Sequence, residues 1–160
     1  RWSAGLAVSG VPANANPAKV INMSLGGAGS CDSTLQTAVN QIVAVGTTIV
    51  VSAGNSNADA SGYAPANCNG VITVAATTLN GNRAYYSNYG STVEISAPGG
   101  DSSGYILSTL NTGEQGPEVD AYAYYQGTSM SAPHVSGVAS VLYPLNAHLT
   151  PAEVHTHSQA

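Results

Sequence analysis

Gly127-Thr128-Ser129-Met130-Ser131-Ala132-Pro133-His134-Val135-Ser136-Gly137 is the stretch on which the reading of this chain turns. Small and apolar residues from 133 to 142 predict a buried helix, with Pro133 in its first turn, where a missing N–H costs nothing. Ser129 then stands at the mouth of that helix, near free backbone amides and the positive end of the helix dipole. A serine so placed is a candidate nucleophile, and the same amides could hold an oxyanion. The plainer reading is an N-cap serine in a turn rich in Gly and Ser. A nucleophilic serine also needs a base, usually a histidine held by a carboxylate.

Working outward, residues 19–25 (KVINMSL) read as a buried strand closed by Gly26-Gly27. Asp32-Ser33-Thr34 can cap a helix through Leu35, Ala38, Val39, Ile42 and Val43, stopped at Gly46. Residues 47–52 (TTIVVS) form a second strand ended by Ala53-Gly54-Asn55, and 55–70 reads as a polar loop. Strands follow at 71–75 and 93–97, then two strands at 105–110 and 121–126 that suit an antiparallel pair. Thr150-Pro151-Ala152-Glu153 starts a last, capped helix. Strand–helix–strand order with continuous apolar strands implies an α/β fold with a mostly parallel sheet covered on both faces. Sites in such folds form beyond the carboxyl ends of strands, where Ser24-Leu25-Gly26, Ser52-Ala53-Gly54-Asn55 and residues 127–129 all fall.

The bulk numbers narrow the field. The chain has 160 residues, enough for one sizeable core, and is 43% apolar. Three basic against eight acidic side chains, net −5, argue against nucleic acid as a partner. No apolar run is long enough to span a membrane. Cys31 and Cys68 sit in turn-like surroundings, which makes a disulfide and an oxidising compartment plausible, and with no histidine near them zinc is a poor reading.

The segment from Gly127 to Gly137 resembles the nucleophile signature of the subtilisin-like serine proteases, the subtilases, over eleven contiguous residues. The resemblance runs from Trp2 to about Ala152 and is nearest to the secreted bacterial branch, beside the proteinase K and aqualysin types. It implies a three-layer subtilisin-like fold, with residues 1–160 as the C-terminal part of a single peptidase catalytic domain. It implies Ser129 as nucleophile and the Asn55 amide, with the Ser129 backbone amide, as oxyanion donors. Ser24, Leu25 and Gly26 would pair with substrate backbone and form one wall of the primary specificity pocket; Ser52, Ala53 and Gly54 would form the other. Gly62 would lie at the pocket base and leave room for a large apolar or aromatic side chain, and Thr128 would support the oxyanion site. The plainer alternative for these glycines is turn geometry. His134 would have a packing and hydrogen-bonding role rather than serve as the base.

The same resemblance pairs Cys31 with Cys68. It also suggests a structural calcium at Glu94 with the Asn69 and Val71 carbonyls, against which stands a solvated Glu94 and no metal; the chemistry itself requires no cofactor. The family's order is Asp, His, Ser, and the first two belong before Trp2. His148, His155 and His157 all follow the serine, in a region the family keeps away from the cleft. The expected partner is therefore an N-terminal fragment carrying Asp and His, the expected ligands are peptide or protein substrates and inhibitors, and the expected location is extracellular. The alternative is an inactive protease fragment serving as a binding or structural module.

Overall fold

The computed structural model describes residues 1–159. Along the chain lie β1 (Val20–Met23), β2 (Gly27–Ala28), α1 (Ser33–Ala44), β3 (Thr48–Ser52), β4 (Tyr63–Ala64), β5 (Ile72–Thr77), β6 (Ile95–Pro98), β7 (Ile106–Asn111), β8 (Asp120–Tyr125), α2 (Thr128–Leu145) and α3 (Pro151–Ser158). Four strands make a parallel sheet in the order β1-β3-β5-β6, so β1 and β6 are its outer strands. Two antiparallel pairs, β2 with β4 and β7 with β8, stand apart from it.

Alternation along β3 builds the layers, because successive side chains of a strand leave on opposite faces. Ile49 and Val51 pack with Val39 and Ile42 of α1 on one side. Val50 packs with Ala132 and Val135 of α2 on the other. Thr48 points to the α2 face as well, where its hydroxyl meets the Tyr143 hydroxyl at 2.8 Å. Tyr143 also packs with Ala139 of α2 and Val154 of α3. With both faces covered, every β3 residue is buried, as the continuous apolar run predicts. This is the three-layer α/β arrangement expected of the sequence.

Local signals account for most boundaries. Asp32 accepts from the Leu35 amide at 2.8 Å and starts α1. Thr150 and Glu153 close a capping box on α3, with Pro151 in its first turn. The loop expected over 55–70 contains more order than its polarity suggests: a 3-10 turn at Ala60–Gly62 and strand β4, which pairs with β2 through Gly27↔Ala64 and Ala28↔Tyr63.

The main correction concerns α2, which begins at Thr128 and carries Pro133 in its interior. A proline there has no N–H for the carbonyl four residues earlier, and that carbonyl belongs to Ser129. The Ser24 hydroxyl donates to it instead, at 2.8 Å. The helix thus starts a turn earlier than Pro133 suggests, and its missing internal bond becomes a tie to the end of β1.

Cys31 and Cys68 are joined by a disulfide across a sequence separation of 37. It links the segment between β2 and α1 to the loop between β4 and β5. Replacing both cysteines by alanine should lower the unfolding free energy by about 2–4 kcal/mol, chiefly by freeing the unfolded chain. Urea unfolding of the two proteins side by side checks this, and equal midpoints would refute it.

Candidate active site

Ser129 lies one residue inside the N-terminus of α2, half-buried. Gly127 precedes the helix with φ 146°, a backbone region that disfavours side chains. Its N–H donates to the Gly99 carbonyl at 2.9 Å. The Tyr86 hydroxyl lies 2.9 and 2.6 Å from the Gly99 and Gly100 carbonyls and shares its one proton between them, so a buried tyrosine braces this turn. Burial pushes the Tyr86 hydroxyl pKa above its ordinary value.

Asn55 follows β3 and is brought against the start of α2 by Thr128. The Asn55 Oδ1 accepts from the Thr128 amide at 2.9 Å and from the Thr128 hydroxyl at 2.8 Å. The Gly54 amide in turn donates to the Thr128 hydroxyl at 3.2 Å. Thr128 is fully buried, so the inner end of this relay is fixed in the protein while Asn55, at its outer end, is exposed. With two donors on Oδ1, the Asn55 Nδ2 is the end left to face outward. A methyl group built on Gly127 would stand 3.6 Å from that Nδ2 and 3.7 Å from the Ser129 amide nitrogen. The two donors therefore border one small space beside Ser129.

A cleft of about 430 Å³ opens next to Ser129, lined by residues 24–28 and 52–56 and by Tyr63, Ala64, Ala66 and Ser129. Ser24, Leu25 and Gly26 thus face Ser52, Ala53 and Gly54 across it. Ser24 and Ser129 exchange bonds in both directions, since the Ser129 hydroxyl also donates to the Ser24 carbonyl at 3.3 Å. Gly54 has φ 103°, and a Cβ on it would collide with the Asn88 side chain. Gly62 ends the 3-10 turn, next to the cleft-lining Tyr63, and a Cβ there would meet nothing within 4 Å. The residues that follow it, Tyr63, Ala64 and Ala66, line the cleft, where β4 pairs with β2.

Asn88 carries no signal in the sequence, yet it shapes the loop that holds Asn55. It is fully buried. Its Oδ1 accepts from the Ser56 and Ala58 amides at 2.9 and 3.1 Å, and its Nδ2 donates to the Ala53 carbonyl at 2.9 Å. Those bonds clamp the chain on both sides of Asn55. Only a buried polar side chain with both a donor and an acceptor end can do this.

Two other expectations come out differently. His134 is exposed rather than packed, with Nδ1 2.8 Å from the Met130 carbonyl of the preceding turn. Of the calcium candidates, Glu94 accepts from the Thr73 amide at 2.6 Å and faces His155 at 3.8 Å, while the Asn69 carbonyl accepts from the Gln36 amide at 2.9 Å. Burial holds the Glu94 carboxyl above its usual pKa, a shift that the Thr73 amide and His155 partly oppose. Calcium takes six to eight oxygens, typically several of them charged. The set offers one carboxylate, already bonded to the backbone, and two carbonyls, of which that of Asn69 is engaged, and falls short of that demand. No group of three or more His, Cys, Asp or Glu side chains suited to a metal ion occurs among the described residues.

The fold thus brings a helix-mouth serine and a strand-end asparagine together at the edge of one cleft. A family model described as the subtilase family matches residues 3–158, and the chain belongs to that family. It is 54% identical over 156 residues to an extracellular protease of Xanthomonas campestris pv. campestris, covering 97% of this chain and 26% of that protein. It is 47% identical over 157 residues to an extracellular basic protease of Dichelobacter nodosus, covering 96% and 25%. Among solved structures, a protease from Pseudoalteromonas arctica superposes with a TM-score of 0.93 at 52% identity, over 97% of this chain and 47% of that one. The chain thus spans about a quarter of the length of the two extracellular proteases.

Replacing Asn88 by alanine removes one buried and two part-buried bonds. The expected loss is at least about 2 kcal/mol of stability, read as a lower midpoint in thermal unfolding. An unchanged midpoint would mean that the loop around Asn55 holds itself.

Proposed function

We propose that this chain is the C-terminal part, residues 1–160, of the catalytic domain of a secreted serine endopeptidase. Ser129 supplies the nucleophile, and Asn55 with the Ser129 amide supplies the oxyanion donors. The observation that carries this reading is the buried Thr128 relay, which points the Asn55 amide nitrogen toward the space beside Ser129. In acyl transfer such donors act where charge develops, in a place already arranged to receive it.

The chemistry follows from these positions. Substrate backbone lies along residues 24–26, and the side chain before the scissile bond enters the cleft between Ser24–Gly26 and Ser52–Gly54. Edge pairing to an extended peptide asks little of its sequence, so specificity is broad. The small side chains of Ala64 and Ala66 leave room for a large apolar or aromatic residue. The Ser129 oxygen attacks the carbonyl carbon as its proton passes to a histidine. The carbonyl oxygen gains negative charge between the Asn55 Nδ2 and the Ser129 amide. Collapse of that intermediate expels the amine, which takes the proton from the histidine, and leaves an acyl-serine; water, giving a proton to the same histidine, then cleaves it to the acid and restores the Ser129 hydroxyl.

The histidine and its carboxylate belong to an N-terminal part of the same enzyme. Support for such a partner comes from the surface of the chain. Val138, Val141 and Leu145, in the second half of α2, are exposed at 52%, 61% and 76%. β1 is an outer strand of the sheet, with its far edge unpaired among the described residues. An open strand edge and exposed apolar helix residues are costly to leave in water. Secretion agrees with the disulfide, with relatives described as extracellular, and with the finding that no described helix is long and apolar enough to cross a membrane. The second reading, a fragment without activity that serves as a binding module, keeps the cleft but not the chemistry.

The test is native mass spectrometry of the assembly after treatment with a serine-directed phosphonate. The expected result is a second polypeptide segment bearing Asp and His, and one adduct on Ser129. Asn55→Leu should slow turnover by about 10²–10³-fold with little change in KM, the scale of effect that loss of an oxyanion donor has in subtilisin itself. An intact assembly with Ser129 unlabelled would sink the protease reading and favour the binding module.

A further inference from the structure

We propose that Asn22 is a positioning residue for the nucleophile, holding Ser129 through the Ser24 hydroxyl and anchoring the same face of α2 at Ser136; this rests on the protease reading above.

β1 turns alternate residues toward α2. Ile21 and Met23 pack into the core on the α1 side. Val20 packs on the opposite side, with the clusters that hold Ala132, Val135 and Ala139 of α2. Side chains two apart leave a strand on the same face, so Asn22 and, just past the strand, Ser24 follow Val20 toward α2. Asparagine is a poor strand former, and an aliphatic side chain at 22 would extend the packing of Val20. An amide stands there instead, and both of its ends are bonded.

The Asn22 Nδ2 donates to the Ser24 Oγ at 2.9 Å, and the Asn22 Oδ1 accepts from the Ser136 Oγ at 3.1 Å. The Ser136 hydroxyl also lies 3.1 Å from the Ala132 carbonyl. That carbonyl has the N–H of the next helical turn as its partner, so the hydroxyl proton is free for Asn22. The direction of this chain decides what Ser24 does. A hydroxyl has one proton. With an N–H arriving from Asn22, the Ser24 proton goes to the Ser129 carbonyl, at 2.8 Å. With the amide reversed, Asn22 would offer Ser24 an oxygen, and two acceptors would compete for that proton. The Ser129 carbonyl would lose by this, because Pro133 has no N–H to give it.

The chain of bonds reaches α2 at two points. Ser129 and Ser136 are seven residues apart, which is two turns along one helix face. Asn22 holds the second directly and the first through Ser24. Two anchors on one face fix the rotation of α2 about its axis as well as its distance from β1. The Ser129 oxygen projects from that helix and moves when the helix turns. A displacement of about 1 Å at a reacting atom lowers a rate by up to about 10²-fold. Ser24 touches the nucleophile's hydroxyl too, since the Ser129 Oγ donates to the Ser24 carbonyl at 3.3 Å. That bond is given up when the proton passes to the histidine. The bond from Ser24 to the Ser129 carbonyl is not broken by the chemistry, and it is the one Asn22 directs. Thr128 thus orients the oxyanion side of the site, and Asn22 the nucleophile side.

The experiment uses the complete enzyme, a short chromogenic peptide anilide with an aromatic residue before the scissile bond, and a serine-directed phosphonate to count competent sites. Asn22→Ala should lower kcat per labelled site about tenfold, with KM within about twofold of the unaltered enzyme. Asn22→Asp keeps the size and the acceptor but not the N–H, and should lose as much. In a Ser24→Ala background, adding Asn22→Ala should change kcat by less than about twofold, because members of one hydrogen-bonded chain do not act additively. A merely structural role would multiply the two losses. Full kcat in Asn22→Ala or in Asn22→Asp overturns the relay, and so do multiplied losses in the double variant. These outcomes, with the unaltered enzyme active, remove the relay alone. An unaltered enzyme that neither turns over the anilide nor takes the phosphonate removes the protease reading, and the relay with it.

Discussion

Thr128 joins two segments that lie 73 residues apart in sequence, the end of β3 and the start of α2, through a single buried hydroxyl and one amide. The hydroxyl donates to Asn55 and accepts from Gly54, so its one proton and one of its lone pairs are both committed. That leaves the Asn55 amide a single orientation. If the amide flipped, two donors would face its NH₂ group, and leaving the buried Thr128 groups unpaired would cost about 1–3 kcal/mol. The position of the candidate oxyanion donor is therefore set before any substrate arrives. Such preorganisation is what makes these donors effective.

The remaining architecture holds the two segments at the right separation. β3 is buried on both faces and fixes where Ser52 to Asn55 emerge. Asn88 clamps the loop on both sides of Asn55. At the helix, Pro133 deprives the Ser129 carbonyl of its usual partner, and Ser24 takes it up. The cost of a proline inside a helix thereby becomes a contact between the candidate nucleophile and the end of β1. Gly54 and Gly127, both in backbone regions closed to most residues, let the same two segments take their paths.

How much of this is legible in the sequence follows from the range of each signal. Helix caps at Asp32 and Thr150 and the apolar runs of β3 and β5 depend on near neighbours, so they are readable. Ser129, Asn55 and the Cys31–Cys68 pair come from resemblance, since nothing in their own spacing brings them together. A proline usually marks a first turn, so Pro133 points to too late a start for α2, and only the distant Ser24 hydroxyl makes its interior position tolerable. The short strand β4 that follows Gly62 is not legible in the sequence, because its partner β2 lies more than thirty residues earlier. Asn88 is invisible in the sequence because it acts through three bonds to residues thirty or more positions away.

The most direct measurement is a crystal structure of the assembled enzyme with a phosphonate bound covalently to Ser129. One phosphonyl oxygen should then lie within about 2.7–3.1 Å of both the Asn55 Nδ2 and the Ser129 amide, with the Thr128 hydroxyl still bonded to Asn55. An adduct whose oxygens all point to solvent, or an Asn55 amide turned away with its Thr128 bonds broken, would contradict a preset oxyanion site.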